Sequence, residues 1–308
     1  MSEWDFLIQL LRNKRRANSI NLLNLYDMIR KNDLETLFYN YFEKKDKSIA
    51  NKIYKEMQLN KLYYEILYQE TKNLFSILNN NKIPYVIIKG LFFALKSYGD
   101  IKKRSSSDID ILVDKQYYNQ LKKVLIDTGF VQGYAHNGDI ACFSSNDIFF
   151  YLLNTHQAAP YIKKSSNESV PYINIDVNLR INWGESSDIN VETSDLIEDH
   201  VSMNYNGLDY PVLNNEKALL AYCLSVYKDN NSIYLLMKNK GYTIRPLCDI
   251  YYFIQNNDID KRQFCNLINK YNTAKHTREI LFLTAYIFDD YMMLESFGFT
   301  KTQPSSLK

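Results

Sequence analysis

The sequence predicts an α+β protein: a small mixed or antiparallel sheet in the middle of the chain, flanked by an N-terminal and a C-terminal helical lobe. Two observations carry this. Apolar residues recur at helix spacing at both ends of the chain, whereas the middle contains short β-branched runs that alternate residue by residue. Gly90 and Gly129 fall where those two periods exchange. The expected organisation is a helical lobe over 1–80, a sheet-bearing core over 81–185, a second helical lobe over 186–299 and a flexible tail over 300–308.

Composition narrows the function. The 308 residues are 46% hydrophobic and 23% charged, with a formal net charge of +2, which suits a globular chain with room for a core. Near-neutral charge argues against a protein built to coat nucleic acid, while leaving room for a local basic groove. Cys142, Cys223, Cys248 and Cys265 form no C-x-x-C pair, so neither a zinc knuckle nor a disulfide framework is indicated. There is no apolar signal segment and no run of about 18 apolar residues, so the expectation is a cytoplasmic chain with no membrane partner.

Taken in order, Trp4, Leu7, Ile8 and Leu11, then Leu22, Leu25, Tyr26 and Ile29, then Leu62, Leu67, Leu74 and Leu78 mark helical stripes, the last ending at Asn79-Asn80-Asn81. Arg12, Lys14, Arg15 and Arg16 form a basic cluster best read as a helix face in water. Tyr85 to Ile88 is a short strand, Lys89-Gly90 ends it, and Leu91 to Tyr98 forms a helix. Gly90 lets backbone approach an anion, and Lys89 and Arg104 add positive charge for phosphates.

The alternation of Ile109, Ile111 and Val113 then predicts a strand on which Asp108 and Asp110 share a face. Two carboxylates side by side repel unless a cation lies between them, which points to a divalent metal. An Asp-x-Asp pair alone is weak evidence, since an exposed strand edge also favours charge. The preceding strand, glycine, helix and basic residues give it weight.

Helix spacing over Gln116–Thr128, closed by Gly129, is followed by apolar runs at Val131–Tyr134, Ile140–Phe143 and Ile148–Leu153, read as a small antiparallel meander. Asp139 and Asp147 sit at turn edges and His136 and His156 near turns, so none is assigned to a site. Tyr172 to Arg180 alternates again, with Asp176, Asn178 and Arg180 on one face. Helix returns at Asn214-Asn215-Glu216 and again at Pro246.

The run Lys89-Gly90, Tyr98, Arg104, Asp108-Ile109-Asp110-Ile111-Leu112-Val113 and Gly129-Phe130 resembles the bacterial uncharacterised nucleotidyltransferases of the DNA polymerase β-like superfamily. The resemblance covers about a third of the chain. It implies that Asp108, Asp110 and Asp176 are the catalytic carboxylates and bind Mg²⁺, with Mn²⁺ as the other candidate ion. It also implies that Lys89, Gly90, Arg104, Ser107 and Arg180 hold a nucleoside triphosphate; for Arg180, an ion pair with a structural Asp is an equal reading. Relatives carry Gly-Ser at the helix start, whereas Leu91 follows Gly90 here, so a hydroxyl for the phosphates has to come from the Ser105–Ser107 run. Relatives also carry a histidine two positions after the third acid; Asn178 stands there, and no proton-handling role is carried over.

The implied reaction is Mg²⁺-dependent transfer of a nucleoside monophosphate from a triphosphate to an acceptor hydroxyl, with two metal ions neutralising the developing charges. A small-molecule or peptide acceptor is preferred because the chain is not strongly basic. RNA or tRNA is the alternative acceptor, and a catalytically silent nucleotide-binding scaffold or regulator is the alternative of another class. Neither the acceptor nor the oligomeric state has a signature in the sequence.

Overall fold

Alternation and helical periodicity resolve into an α+β chain in a computed structural model that describes residues 2–14, 20–181, 189, 191–231 and 243–302. Arg15, Arg16, Lys238, Lys240 and residues 303–308 of the expected tail lie outside the described residues. The chain divides into two compact units, one formed by Met1–Asn60, Phe93–Ser105 and Tyr222–Lys308, the other by Lys61–Phe92 and Ser106–Ala221.

The second unit carries the sheet. Its strands are β1 (Tyr85–Ile87), β2 (Ile109–Val113), β3 (Val131–His136), β4 (Asp139–Cys142), β5 (Tyr161–Lys164), β6 (Tyr172–Asn178), β7 (Val201–Tyr205) and β8 (Leu208–Val212). They form one mixed sheet in the order β4-β3-β5-β6-β2-β1-β8-β7. β1 runs antiparallel to β2, and β2 runs parallel to β6. Two hairpins close on Asn-Gly: Asn137-Gly138 joins β3 to β4, and Asn206-Gly207 joins β7 to β8. All four residues have positive φ, the backbone a two-residue turn needs to match strand twist. The β7–β8 hairpin and β5 lie outside the expected strands, although Asn206-Gly207 between two alternating runs is a hairpin signal.

One expectation is corrected. Ile148–Leu153 is not a third strand of the meander but part of a helix over Ser145–Asn154. Ser144 caps it: the Ser144 hydroxyl accepts from the Asp147 N–H, and the Asp147 carboxylate accepts from the Ser144 N–H and hydroxyl. This reciprocal cap satisfies the free donors of the first turn and starts a helix where Ser-Ser-Asn-Asp reads as a turn by composition.

Sheet packing follows from the register. Ile109, Ile111, Val113, Ile175 and Val177 are all fully or almost fully buried, which fixes which side of β2 and β6 faces the interior. A long helix, Lys47–Asn80, contributes Tyr68 and Phe75 to this unit, where they pack edge-on against Tyr210, and Phe75 stacks on Tyr85.

The first unit is helical. It gathers Glu3–Leu11 and Leu22–Lys31 from the start of the chain with Arg245–Asn256, Lys261–Lys270, Ala274–Phe288 and Tyr291–Ser296 from the end. Phe93 stacks on Tyr222 at 4.1 Å and packs against Phe253. Asp249, fully buried, accepts from Arg104 Nε at 2.9 Å, Arg245 Nε at 3.1 Å, Tyr98 Oη at 2.6 Å and Tyr222 Oη at 2.7 Å. Burial opposes its charge, yet the two guanidiniums and the two hydroxyl donors hold its carboxyl below the usual carboxylate range. No helix among the described residues is long and apolar enough to cross a membrane.

Candidate active site

The site is built on β2 and β6. Parallel register sets Asp110 directly opposite Asp176, with Ile109 opposite Ile175 and Ile111 opposite Val177. Because the isoleucines and valine take the buried side, the two aspartates must share the other. Asp108 lies one residue before β2 and is half-buried. Ser106 Oγ donates to the Asp108 carbonyl at 3.0 Å, and Ser107 Oγ donates to Asp108 Oδ2 at 3.3 Å.

The electrostatics record how close these acids are. Asp176 has its pKa raised to about 7, first by burial, then by the negative charges of Asp110 and Asp108, with Lys89 pulling the other way. Lys89, immediately after β1 and Ile88, places Nζ 3.8 Å from Asp110 Oδ1. Gly90 follows with φ +51°, the left-handed region, and a Cβ there would meet Ser106 Oγ at 3.1 Å. Backbone of the β1–helix turn therefore comes up against the serine run, and the helix Leu91–Tyr98 starts from it.

The structure thus brings Asp108, Asp110, Asp176, Lys89, Gly90 and Ser107 to one end of the β1–β2–β6 strands. Arg180 is exposed just beyond β6, its backbone N–H donating to the His156 carbonyl at 3.2 Å. Arg104 belongs to the helical unit, where Asp249 holds its Nε. Asp139 pairs with Lys164 at 2.9 Å and Asp147 serves its helix cap, so both have structural occupations.

Two further residues touch this group electrostatically or by contact. Asn178 Nδ2 lies 3.4 Å from Asp110 Oδ1. Tyr63, on the long helix Lys47–Asn80, has a buried hydroxyl with no hydrogen-bond partner among the described residues, and its pKa is pushed up by burial and then by Asp108. Tyr63 carries no sequence signal, because it lies more than forty residues before Asp108 and only folding relates them.

The donor set suits a hard divalent cation. Among the described residues no three or more Asp, Glu, His or Cys side chains are grouped so as to hold a metal ion together. Asp110 and Asp176 as neighbours, with Asp108 close by, instead form an open carboxylate edge. Magnesium is commonly bound in this way, by one or two carboxylates with water and substrate phosphates completing the shell.

Comparison with known proteins adds the following. A family profile described as an uncharacterised nucleotidyltransferase matches residues 18–289. A crystal structure of an antigenic nucleotidyltransferase-like protein from Paracoccidioides brasiliensis is similar at a TM-score of 0.44 and 17% identity, covering 79% of this chain and 96% of that one. Comparison with curated proteins finds no match.

Proposed function

The chain belongs to the family of uncharacterised nucleotidyltransferases, and from that premise we propose that it moves a nucleoside monophosphate from a nucleoside triphosphate to an acceptor hydroxyl. The observation that carries the proposal is the opposition of Asp110 and Asp176 on neighbouring parallel strands, with Asp108 beside them.

In this reading Asp108, Asp110 and Asp176 hold Mg²⁺, with Mn²⁺ able to replace it. When bound, two such ions would neutralise charge on the attacking and departing oxygens. The acceptor oxygen bonds to the α-phosphorus, the bond from that phosphorus to the bridging oxygen breaks, and pyrophosphate leaves. The acceptor's proton passes to Asp176, whose carboxyl is raised to about 7 by burial and by its acidic neighbours. Lys89 lies beside Asp110 and offers its ammonium to the triphosphate, while Gly90 lets backbone N–H groups approach it and Ser107 keeps Asp108 oriented. Arg180 is the further cation proposed for the phosphates, whereas Arg104 is held by Asp249 in the helical unit. The preferred acceptor is a small molecule or peptide.

The test is transfer of label from α-labelled triphosphates, with Mg²⁺, to RNA, protein and small-molecule fractions of a cell extract. The wild type is expected to label one fraction, and Asp108→Ala to reduce that labelling by at least about a hundredfold without lowering the melting temperature. Undiminished labelling by a folded Asp108→Ala protein overturns the site, and labelling of the RNA fraction alone replaces the preferred acceptor.

A further inference from the structure

Asn178 occupies a position that packing alone would give to an apolar side chain. It is 2% exposed, and its register partner on β2, Leu112, is fully buried, as is Val86 opposite Leu112 on β1. Burying a carboxamide costs free energy unless its N–H groups find acceptors. The acceptors near Asn178 Nδ2 are Asp110 Oδ1 at 3.4 Å, the Ile111 carbonyl at 3.4 Å and the Asp176 carbonyl at 3.5 Å. Each contact is at the long end of the hydrogen-bond range, so two N–H groups are shared among three oxygens. All three oxygens belong to the paired acidic strands.

We infer that Asn178 is a positioning residue for Asp110, its amide holding Oδ1 so that Oδ2 is presented to a divalent cation. Lys89 Nζ approaches the same Oδ1 at 3.8 Å, so both donors fall on one oxygen of the carboxylate. A carboxamide suits this task because it donates at every pH and adds no charge to a site already crowded with carboxylates. Partners that orient a metal-ligating side chain set affinity even though they never touch the metal. The inference rests on the proposed reading of Asp110 as a metal-binding residue.

The test uses Mn²⁺ alone as probe, with the intact chain, and reads its dissociation constant by electron paramagnetic resonance beside the melting temperature. Asn178→Leu, similar in volume and without a donor, is expected to fold and to bind Mn²⁺ roughly 10–100-fold more weakly. Asn178→Ala is read the same way if the leucine is not accommodated. Asn178→Ser, which keeps a hydroxyl donor, is expected to recover part of the affinity. Wild-type affinity in a folded Leu or Ala variant overturns the inference, as does a loss that merely follows melting temperature across all three variants. Asp110→Asn separates the two claims: if it binds Mn²⁺ as the wild type does, the metal site itself fails, and the positioning role fails with it.

Discussion

Asp110 and Asp176 stand directly opposite one another on parallel strands β2 and β6, close enough for the charge of the first to raise the pKa of the second. The sign of the consequence is fixed. The folded-state pKa of Asp176, about 7, lies above its reference value of 3.8, so between those values the folded chain holds a proton that the unfolded chain has released. Its contribution to stability is complete below about pH 4 and is lost as pH rises through 7. In the absence of divalent cations, the wild type should lose on the order of 4 kcal/mol relative to Asp176→Asn between pH 4 and pH 8. Denaturant unfolding of both proteins in chelator at several pH values measures this, and parallel stability curves would contradict it. Adding Mg²⁺ at pH 8 should restore the wild type and leave the variant less affected.

The helical unit depends on a different carboxylate. Asp249 lies between Arg104 and Arg245, and the latter also donates to the backbone carbonyls of Asp33 and Lys103. Removing the carboxylate leaves two guanidiniums in or near the interior without their counter-charge. Asp249→Ala should cost about 3–5 kcal/mol, seen as a large fall in the denaturation midpoint. A loss under about 1 kcal/mol, the range of exposed ion pairs, would show that solvent already compensates these arginines.

Gly90 is the position where backbone conformation and site geometry meet. Gly90→Ala puts a Cβ on a residue with φ +51° and 3.1 Å from Ser106 Oγ, the hydroxyl that bonds the Asp108 carbonyl. Strain at a left-handed non-glycine residue is about 1–2 kcal/mol, so a modest fall in melting temperature is expected. Mn²⁺ binding should fall further than stability does, because the displaced serine disturbs Asp108. Ser106→Ala removes that hydroxyl without adding φ strain and should weaken Mn²⁺ binding with a smaller fall in melting temperature than Gly90→Ala; unchanged Mn²⁺ affinity in Ser106→Ala would remove the serine from this account.

Much of this arrangement was legible as pattern. Alternation gave β2 and β6, the strand–glycine–helix order gave β1 and Leu91–Tyr98, and Pro246 marked the start of a late helix. The sheet's outer parts were less legible for identifiable reasons. β5 has only four residues, two of them lysines, and is a strand because β3 and β6 lie on either side of it. Ile148–Leu153 contains strand-forming residues, but the reciprocal cap between Ser144 and Asp147 commits it to helix. Tyr63 was not identified as part of the site, since nothing local distinguishes a tyrosine on a long helix; alternation put Asn178 on the Asp176 face, but only folding brings its amide to Asp110.

By itself the sequence determined which face of each strand the candidate aspartates take, because a period of two binds every aspartate's direction to that of its buried isoleucine or valine neighbours. Tertiary structure alone decided that β6 pairs in parallel beside β2, in the register that sets Asp176 against Asp110 rather than one residue away. It also gathered N- and C-terminal helices into one unit around Asp249. Register and long-range association depend on burial summed over many residues distant in sequence, and no short stretch of chain contains that sum.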